Sequence, residues 1–252
     1  MTAFVPDSPL ALEVVASPNH GGRRRGERPD MLILHYTGMT DAAAAIAWLC
    51  AAASGVSAHY VVREDGSIVQ CVPEAQRAWH AGVAWWDGIA DINSHSIGIE
   101  IVNPGHDGGY PDFPEAQIEA VIALCRDILG RHPIAPQRVL AHSDVAPARK
   151  QDPGEKFPWH RLAAAGIGHW VEPAALAAGA AAAVDNLMAV QTALRAYGYR
   201  IEPTGEADAA TATVVTAFQR HFRPARVDGV ADASTRATLQ KLLAALPTPP
   251  KV

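Results

Sequence analysis

MLILHYTG, residues 31–38, sets four apolar residues, a histidine, an aromatic residue and a Thr-Gly turn in a row. A short apolar run closed by a turn signal reads as a buried strand, and His35 stands where that strand gives way to a loop. Two later strings follow the same plan. In AHSDVAP (141–147) His142 comes directly after the β-like run RVLA, and in RKQDPG (149–154) Asp152 lies on a Pro- and charge-rich loop that folds back over the strand end. Two imidazoles and one carboxylate leave the fourth position of a tetrahedral zinc open. A metal held this way can bind a water and lower its pKa from 15.7 to roughly 7. Other readings stand beside this one: the chain has 11 histidines, of which His59, His80 and His95 could compete for the role, and Asp152 could close an Asx-turn before Pro153-Gly154.

Working outward, Asp41 or Thr40 can cap a helix running through Ala52, with Ile46 and Leu49 on one face and Gly55 ending it. Residues 58–63 and 67–72 flank Glu64-Asp65-Gly66 and predict a β-hairpin. SIGIEIV (96–102) predicts a strand buried on both faces. Ile118, Val121, Ile122, Cys125 and Ile128 recur at helical spacing between Pro114-Glu115 and Gly130. Strands interleaved with helices predict an α/β layer.

Several polar residues interrupt these elements. Glu100 lies within an otherwise apolar strand, where a carboxylate is exposed, paired or there for chemistry. Lys150 stands two residues before Asp152 and on an extended loop would point to the same side; by itself it reads as a solvated lysine. Tyr36, His59, Trp79, His80, Trp85, Trp86 and Asn93 could line a groove, although clustered aromatic residues are more often core.

At 252 residues with 49% hydrophobic composition the chain is long enough for two domains. A net charge of −5 gives no footprint for nucleic acid, and Arg23-Arg24-Arg25 reads as a solvated loop. Cys50, Cys71 and Cys125 form neither a CxxC clip nor a full disulfide set, which predicts buried thiols. The N-terminal stretch shows no export pattern, and the longest apolar run, 42–53, is well short of the ~20 residues that span a bilayer.

The strings LHYTG, SAHYVVREDGSIVQCVPEAQRAWHAG (57–82), SIGIEIVNPG (96–105) and VLAHSDVAPARKQDPGEKFPW (139–159), in this order, resemble the zinc N-acetylmuramoyl-L-alanine amidases of the AmpD/AmiD type, relatives of peptidoglycan recognition proteins. The resemblance covers about residues 10–170. It implies a mixed β-sheet flanked by helices and one Zn²⁺ on His35, His142 and Asp152. It also implies cleavage of the amide between the lactyl group of N-acetylmuramic acid and L-alanine. It places the catalytic glutamate at Glu100 and a catalytic lysine at Lys150, and it favours Trp79 and His80 as substrate contacts, with Asn93 as a further candidate.

Beyond 171–184, a small-residue stretch that reads as a linker, VDNLMAVQTALRAYGY, TATVVTAFQRHF and DASTRATLQKLL predict a second, small all-α domain of three helices over 185–252. Its Phe-Gln and Val-Asp-Gly strings resemble the peptidoglycan-binding module found beside cell-wall hydrolases. The chain is thus expected to be a catalytic domain over 1–170, a linker and a helical domain. Its expected ligands are peptidoglycan fragments or anhydro-muropeptides, with no nucleic acid, no membrane span and no protein partner. The alternatives are a non-catalytic recognition protein, which would need a broken ligand set, and a zinc peptidase cutting within the stem peptide. Unpaired thiols and the lack of an export pattern predict a cytoplasmic location, with the periplasm as the alternative.

Overall fold

A computed structural model describes residues 4–176 and 186–246; most of the expected linker therefore lies outside the described residues. In chain order the elements are β1 (Ala11–Val14), β2 (His20–Gly22), β3 (Met31–Tyr36), α1 (Ala42–Leu49), β4 (Tyr60–Val62), β5 (Ile68–Gln70), β6 (Gln76–Ala78), α2 (Ile92–His95), β7 (Ser96–Ile101), α3 (Glu115–Arg131), β8 (Val139–Ala141), α4 (His142–Val145), α5 (Trp159–Ala164), α6 (Leu187–Tyr197), α7 (Ala209–Phe222) and α8 (Ala233–Ala244). Six strands form one mixed sheet in the order β1-β5-β4-β7-β3-β8. The β4–β5 hairpin is antiparallel and the other neighbours are parallel. Strands β2 and β6 make a separate antiparallel ribbon.

Period-2 alternation gives the sheet two unlike faces. Leu32 and Leu34 of β3 and Ile97, Ile99 and Ile101 of β7 point to one side. There they meet Ile118, Val121, Leu124, Cys125 and Ile128 of α3. Each such aliphatic side chain taken out of water contributes about 1.5–3 kcal/mol. On the other side the β3–β7 register sets Met31 against Ser96, Ile33 against Gly98 and His35 against Glu100. The 96–102 strand is buried on both sides as expected, but only one side is apolar.

The sequence-predicted elements appear with small changes. Asp41 caps α1 through the amides of Ala43 and Ala44. The helix stops at Leu49 rather than Ala52, because the chain tightens into a 3-10 turn over Ala52–Ser54 before Gly55 turns at φ 63°. In the hairpin Asp65 Oδ1 accepts from the Ser67 amide at 2.9 Å. Arg23 is not solvated: its guanidinium donates to the carbonyls of Glu74, Ser94 and Ser96, and burial pulls its pKa down to about 10. It therefore ties the 74 turn to the α2–β7 junction.

Helices α6, α7 and α8 are capped by Asn186, Asp208 and Asp232. Gln219 explains why Phe-Gln and Val-Asp-Gly occur together: its Oε1 accepts from the amides of Asp228 and Gly229, and its Nε2 donates to Val230 O and Thr235 Oγ1. The three helices do not stand apart from the sheet. Val190, Leu194, Tyr199, Val214 and Phe218 share one core with Met31, Ile33, Trp86, Leu140 and Val145. Trp86 meets Tyr199 edge-on at 4.9 Å, which places it in this core instead of a groove. A Cβ on Gly198 would come within 2.6 Å of the Trp86 ring, so the close approach needs glycine there. Among the described residues no helix is long and apolar enough to cross a membrane.

Candidate active site

The sheet delivers three side chains to one spot. His35, the last residue but one of β3, lies directly beside Glu100 of β7. His142 follows β8 as the first residue of the one-turn α4. The chain can turn this abruptly because the Asp144 carboxylate accepts from the Ala141 amide at 2.8 Å. Asp152 returns to the same place, its carbonyl accepting from the Ser143 amide at 3.0 Å.

His35 Nδ1 lies 2.9 Å from His142 Nδ1 and 3.1 Å from Asp152 Oδ2, and His142 Nδ1 lies 2.9 Å from the same oxygen. All three residues are buried. Their surroundings settle where the ring protons sit. His142 Nε2 is 3.1 Å from the Ala81 carbonyl, which can only accept, so this nitrogen carries the proton. His35 Nε2 is 2.9 Å from His80 Nδ1, and His80 Nε2 is 3.1 Å from Ser96 Oγ. Ser96 donates its single proton to the Ile92 carbonyl at 2.7 Å and so accepts from His80. The chain of donors then runs from His35 through His80 to Ser96. Both Nδ1 atoms present lone pairs to each other and to a carboxylate, an arrangement of acceptors that fits a metal cation, and two nitrogens with one oxygen are a donor set suited to zinc.

The electrostatics follow from this crowding. Burial, reinforced by His142, pulls the His35 imidazole down to about 4. Burial acts to raise the Asp152 carboxyl, but the two imidazoles overcome it and hold the group far below the usual carboxylate range. Glu100 is partly exposed, yet its Oε2 is buried with no hydrogen-bond partner. Burial and then repulsion from Asp152 push its carboxyl well above the ordinary value, with Lys150 opposing. The Lys150 side chain has no hydrogen bond or ion pair among the described residues, and its charge reaches both Glu100 and His35.

The remaining candidates divide. His80 braces His35, and Asn93 braces His80: Asn93 Oδ1 accepts from the amides of His80 and Ala81 at 3.1 and 2.8 Å. Trp79 is half-buried, its backbone fixed by Ser57. His59 is a buried strut that accepts from the Gly98 amide, not a groove residue. Tyr36 meets His106 at 3.0 Å, and His106 in turn meets Glu155. Sequence reasoning did not single out Ser96, Gly98 or Asp144. Asp144 is fully enclosed and takes hydrogen bonds from the helical segment as well: Tyr199 Oη donates to Oδ1 at 2.6 Å and His221 Nδ1 lies 2.7 Å from Oδ2.

A buried nitrogen–nitrogen–oxygen cluster at strand ends, with Glu100 beside it on a mixed sheet, has the make-up of a candidate metal centre. Comparison with known proteins makes the class specific: the chain belongs to the N-acetylmuramoyl-L-alanine amidase family, whose pattern matches residues 25–155, and residues 184–239 match the peptidoglycan binding domain family. It is 40% identical over 233 residues to the N-acetylmuramoyl-L-alanine amidase AmiD of Escherichia coli (strain K12), covering 86% of this chain and 83% of that protein. It is 35% identical over 165 residues to the 1,6-anhydro-N-acetylmuramyl-L-alanine amidase AmpD of Enterobacter cloacae, covering 59% of this chain and 86% of that one. The structure of E. coli AmiD with the substrate anhydro-N-acetylmuramic acid-L-Ala-D-γ-Glu-L-Lys superposes with a TM-score of 0.76 at 38% identity, over 91% of each chain. AmpDh3 of Pseudomonas aeruginosa gives 0.73 at 35% identity, over 89% of this chain and 95% of its own. The protein is an N-acetylmuramoyl-L-alanine amidase, an enzyme that hydrolyses an amide of the cell wall.

Proposed function

We propose that His35, His142 and Asp152 hold a single zinc ion, that Glu100 and Lys150 are the catalytic residues beside it, and that anhydro-muropeptides are the substrate. The observation that carries this reading is the meeting of three proton-acceptor atoms beside a carboxylate with a buried, unbonded oxygen. A zinc ion there supplies a Lewis acid for the carbonyl and a water of lowered pKa. Glu100 takes the proton from the attacking water and delivers it to the departing L-alanine amine. Lys150 sets positive charge beside the carbonyl oxygen as that oxygen becomes negative. His80 and Asn93 act through His35, and Trp79 offers its ring to the sugar.

The substrate assignment rests on the likeness to E. coli AmiD, whose bound substrate is an anhydro-muropeptide. We assign catalysis to residues 1–170 and a supporting helical unit to 185–252. The free thiols of Cys50, Cys71 and Cys125 support a cytoplasmic location, with the periplasm as the alternative, and cell fractionation tests it. The deciding experiment incubates that anhydro-muropeptide with the protein, with and without a chelator, and weighs the products. Release of peptide-free sugar, lost with chelator and in His142→Ala, is the expected result. Cleavage within the stem, or turnover indifferent to chelator, refutes the reading.

A further inference from the structure

A cleft with two lobes runs between the 146–151 loop and α7. The inner lobe, about 340 Å³, is lined by Lys150, Gln151, Thr216 and Arg220. The outer lobe, about 420 Å³, is walled by Val83, Trp85 and Val214 with Arg200 on its rim. The two lobes adjoin, sharing Pro147, Ala148, Arg149 and Thr213 as a common wall. Lys150 and Gln151 line the inner lobe and lead directly into Asp152 of the buried cluster, which sets this lobe next to the site along the chain.

The cleft carries charge of one sign. Arg149, Lys150, Arg200 and Arg220 line it, and no carboxylate does. Two of these cations are already engaged: Arg149 donates to the carbonyls of Ala81 and Val83, and Arg220 donates to Gln151 and pairs with Glu155. Lys150 and Arg200 have no hydrogen bond or ion pair among the described residues. The wall that carries Arg200 is firmly placed, because the preceding residue, Tyr199, is buried and bonded to Asp144 at 2.6 Å. The cleft is thus formed before any ligand arrives.

Charge complementarity selects the occupant. In an anhydro-muropeptide the lactyl carboxyl is consumed in the scissile amide, which leaves the sugar uncharged. The stem L-Ala-D-γ-Glu-L-Lys keeps the α-carboxylate of its γ-linked glutamate and the carboxylate of its last residue, which together outweigh its one lysine ammonium. We propose that this cleft is the subsite for the distal stem peptide, with Arg200 receiving a stem carboxylate, so that the helical unit forms one wall of the active-site groove. The proposal rests on the substrate reading given above.

The test compares kcat/KM on anhydro-N-acetylmuramic acid-L-Ala-D-γ-Glu-L-Lys with kcat/KM on anhydro-N-acetylmuramic acid-L-Ala, for wild type, Arg200→Glu and Thr213→Glu. Arg200 is exposed and Thr213 partly so, which spares the core in both variants. The ratio of long to short substrate should fall about tenfold in each, mainly through KM, the loss expected when one favourable charged contact turns repulsive. Free L-Ala-D-γ-Glu-L-Lys should inhibit wild type competitively and Arg200→Glu more weakly. A damaged fold would lower both substrates together and hold the ratio constant; a constant ratio in both variants overturns the proposal. If wild type turns over neither substrate, the functional reading itself has failed, and the subsite falls with it.

Discussion

Replacing Gly98 by alanine should loosen the proposed zinc site without touching His35, His142 or Asp152. A Cβ built at Gly98 would lie 2.5, 2.6 and 2.7 Å from three atoms of the His80 ring, whereas ordinary contact starts at 3.4 Å. The ring must therefore retreat by about 0.9 Å, the difference between 3.4 and 2.5 Å. Two hydrogen bonds depend on that ring, to His35 Nε2 at 2.9 Å and to Ser96 Oγ at 3.1 Å, and a shift of this size lengthens or bends both past useful geometry. His35 then loses the partner that keeps its proton on Nε2 and its lone pair on Nδ1. Losses of such supporting bonds typically weaken metal affinity by 10–100-fold, about 1.4–2.7 kcal/mol. Competition against a chelating dye measures the affinity, and circular dichroism of the metal-free protein monitors the fold. Ser96→Ala serves as the control, because it removes the terminal acceptor without adding bulk and should shift affinity in the same direction by less. Wild-type affinity in Gly98→Ala would refute the argument that His80 orients His35.

Glu100→Gln should retain a full equivalent of zinc by elemental analysis yet lose about 10²–10⁴ in kcat; undiminished turnover removes Glu100 from the mechanism. Tyr199→Phe and His221→Gln each strip one hydrogen bond from the enclosed Asp144 carboxylate and should each destabilise the protein by about 1–3 kcal/mol in urea unfolding, and the double variant should depart from additivity. Additive, negligible effects would mean that Asp144 finds other partners. Burial, followed by the nearby Arg23 charge, holds His59 at about 3, and burial with His142 holds His35 at about 4, whereas both titrate near 6.5 in the unfolded chain. The unfolded state therefore takes up protons first as pH falls. The stability tied to these neutral rings is complete above about 6.5 and is lost toward the folded values, at up to about 1.4 kcal/mol per pH unit for each histidine. Urea midpoints of chelator-treated protein at pH 7 and pH 5 check this, and equal midpoints contradict it.

Much of this architecture is legible in the chain itself. His35 and His142 follow apolar runs that end at turns, and α3 announces itself through Ile118, Val121, Ile122, Cys125 and Ile128. The three C-terminal helices carry their own caps and periodicity. What escaped reading depends on contacts between distant residues. Ser96, Gly98 and Glu100 alternate with Ile97, Ile99 and Ile101, but small residues at 96 and 98 resemble a strand packed on both sides, and only the His80 ring lying over Gly98 shows why bulk is forbidden there. Trp86 looks like a groove aromatic because its core partner, Tyr199, belongs to the far segment. Asp144 takes a local bond from the Ala141 amide, while its bonds to residues 55 and 77 positions away leave no local signature. Strands β2 and β6 are only three residues each, too short for periodicity to register.

The shared core of the sheet and the last three helices bears on how such a protein can be rebuilt. Trimming the chain to residues 1–170 would bare Trp86, Leu140 and Val145 to water and deprive Asp144 of two donors, inviting clumping where a tidy minimal enzyme was wanted. Recombination that trades one tail for another, in nature or at the bench, must therefore bring a replacement that fits this seam, since the hinge beneath His142 is braced from across it.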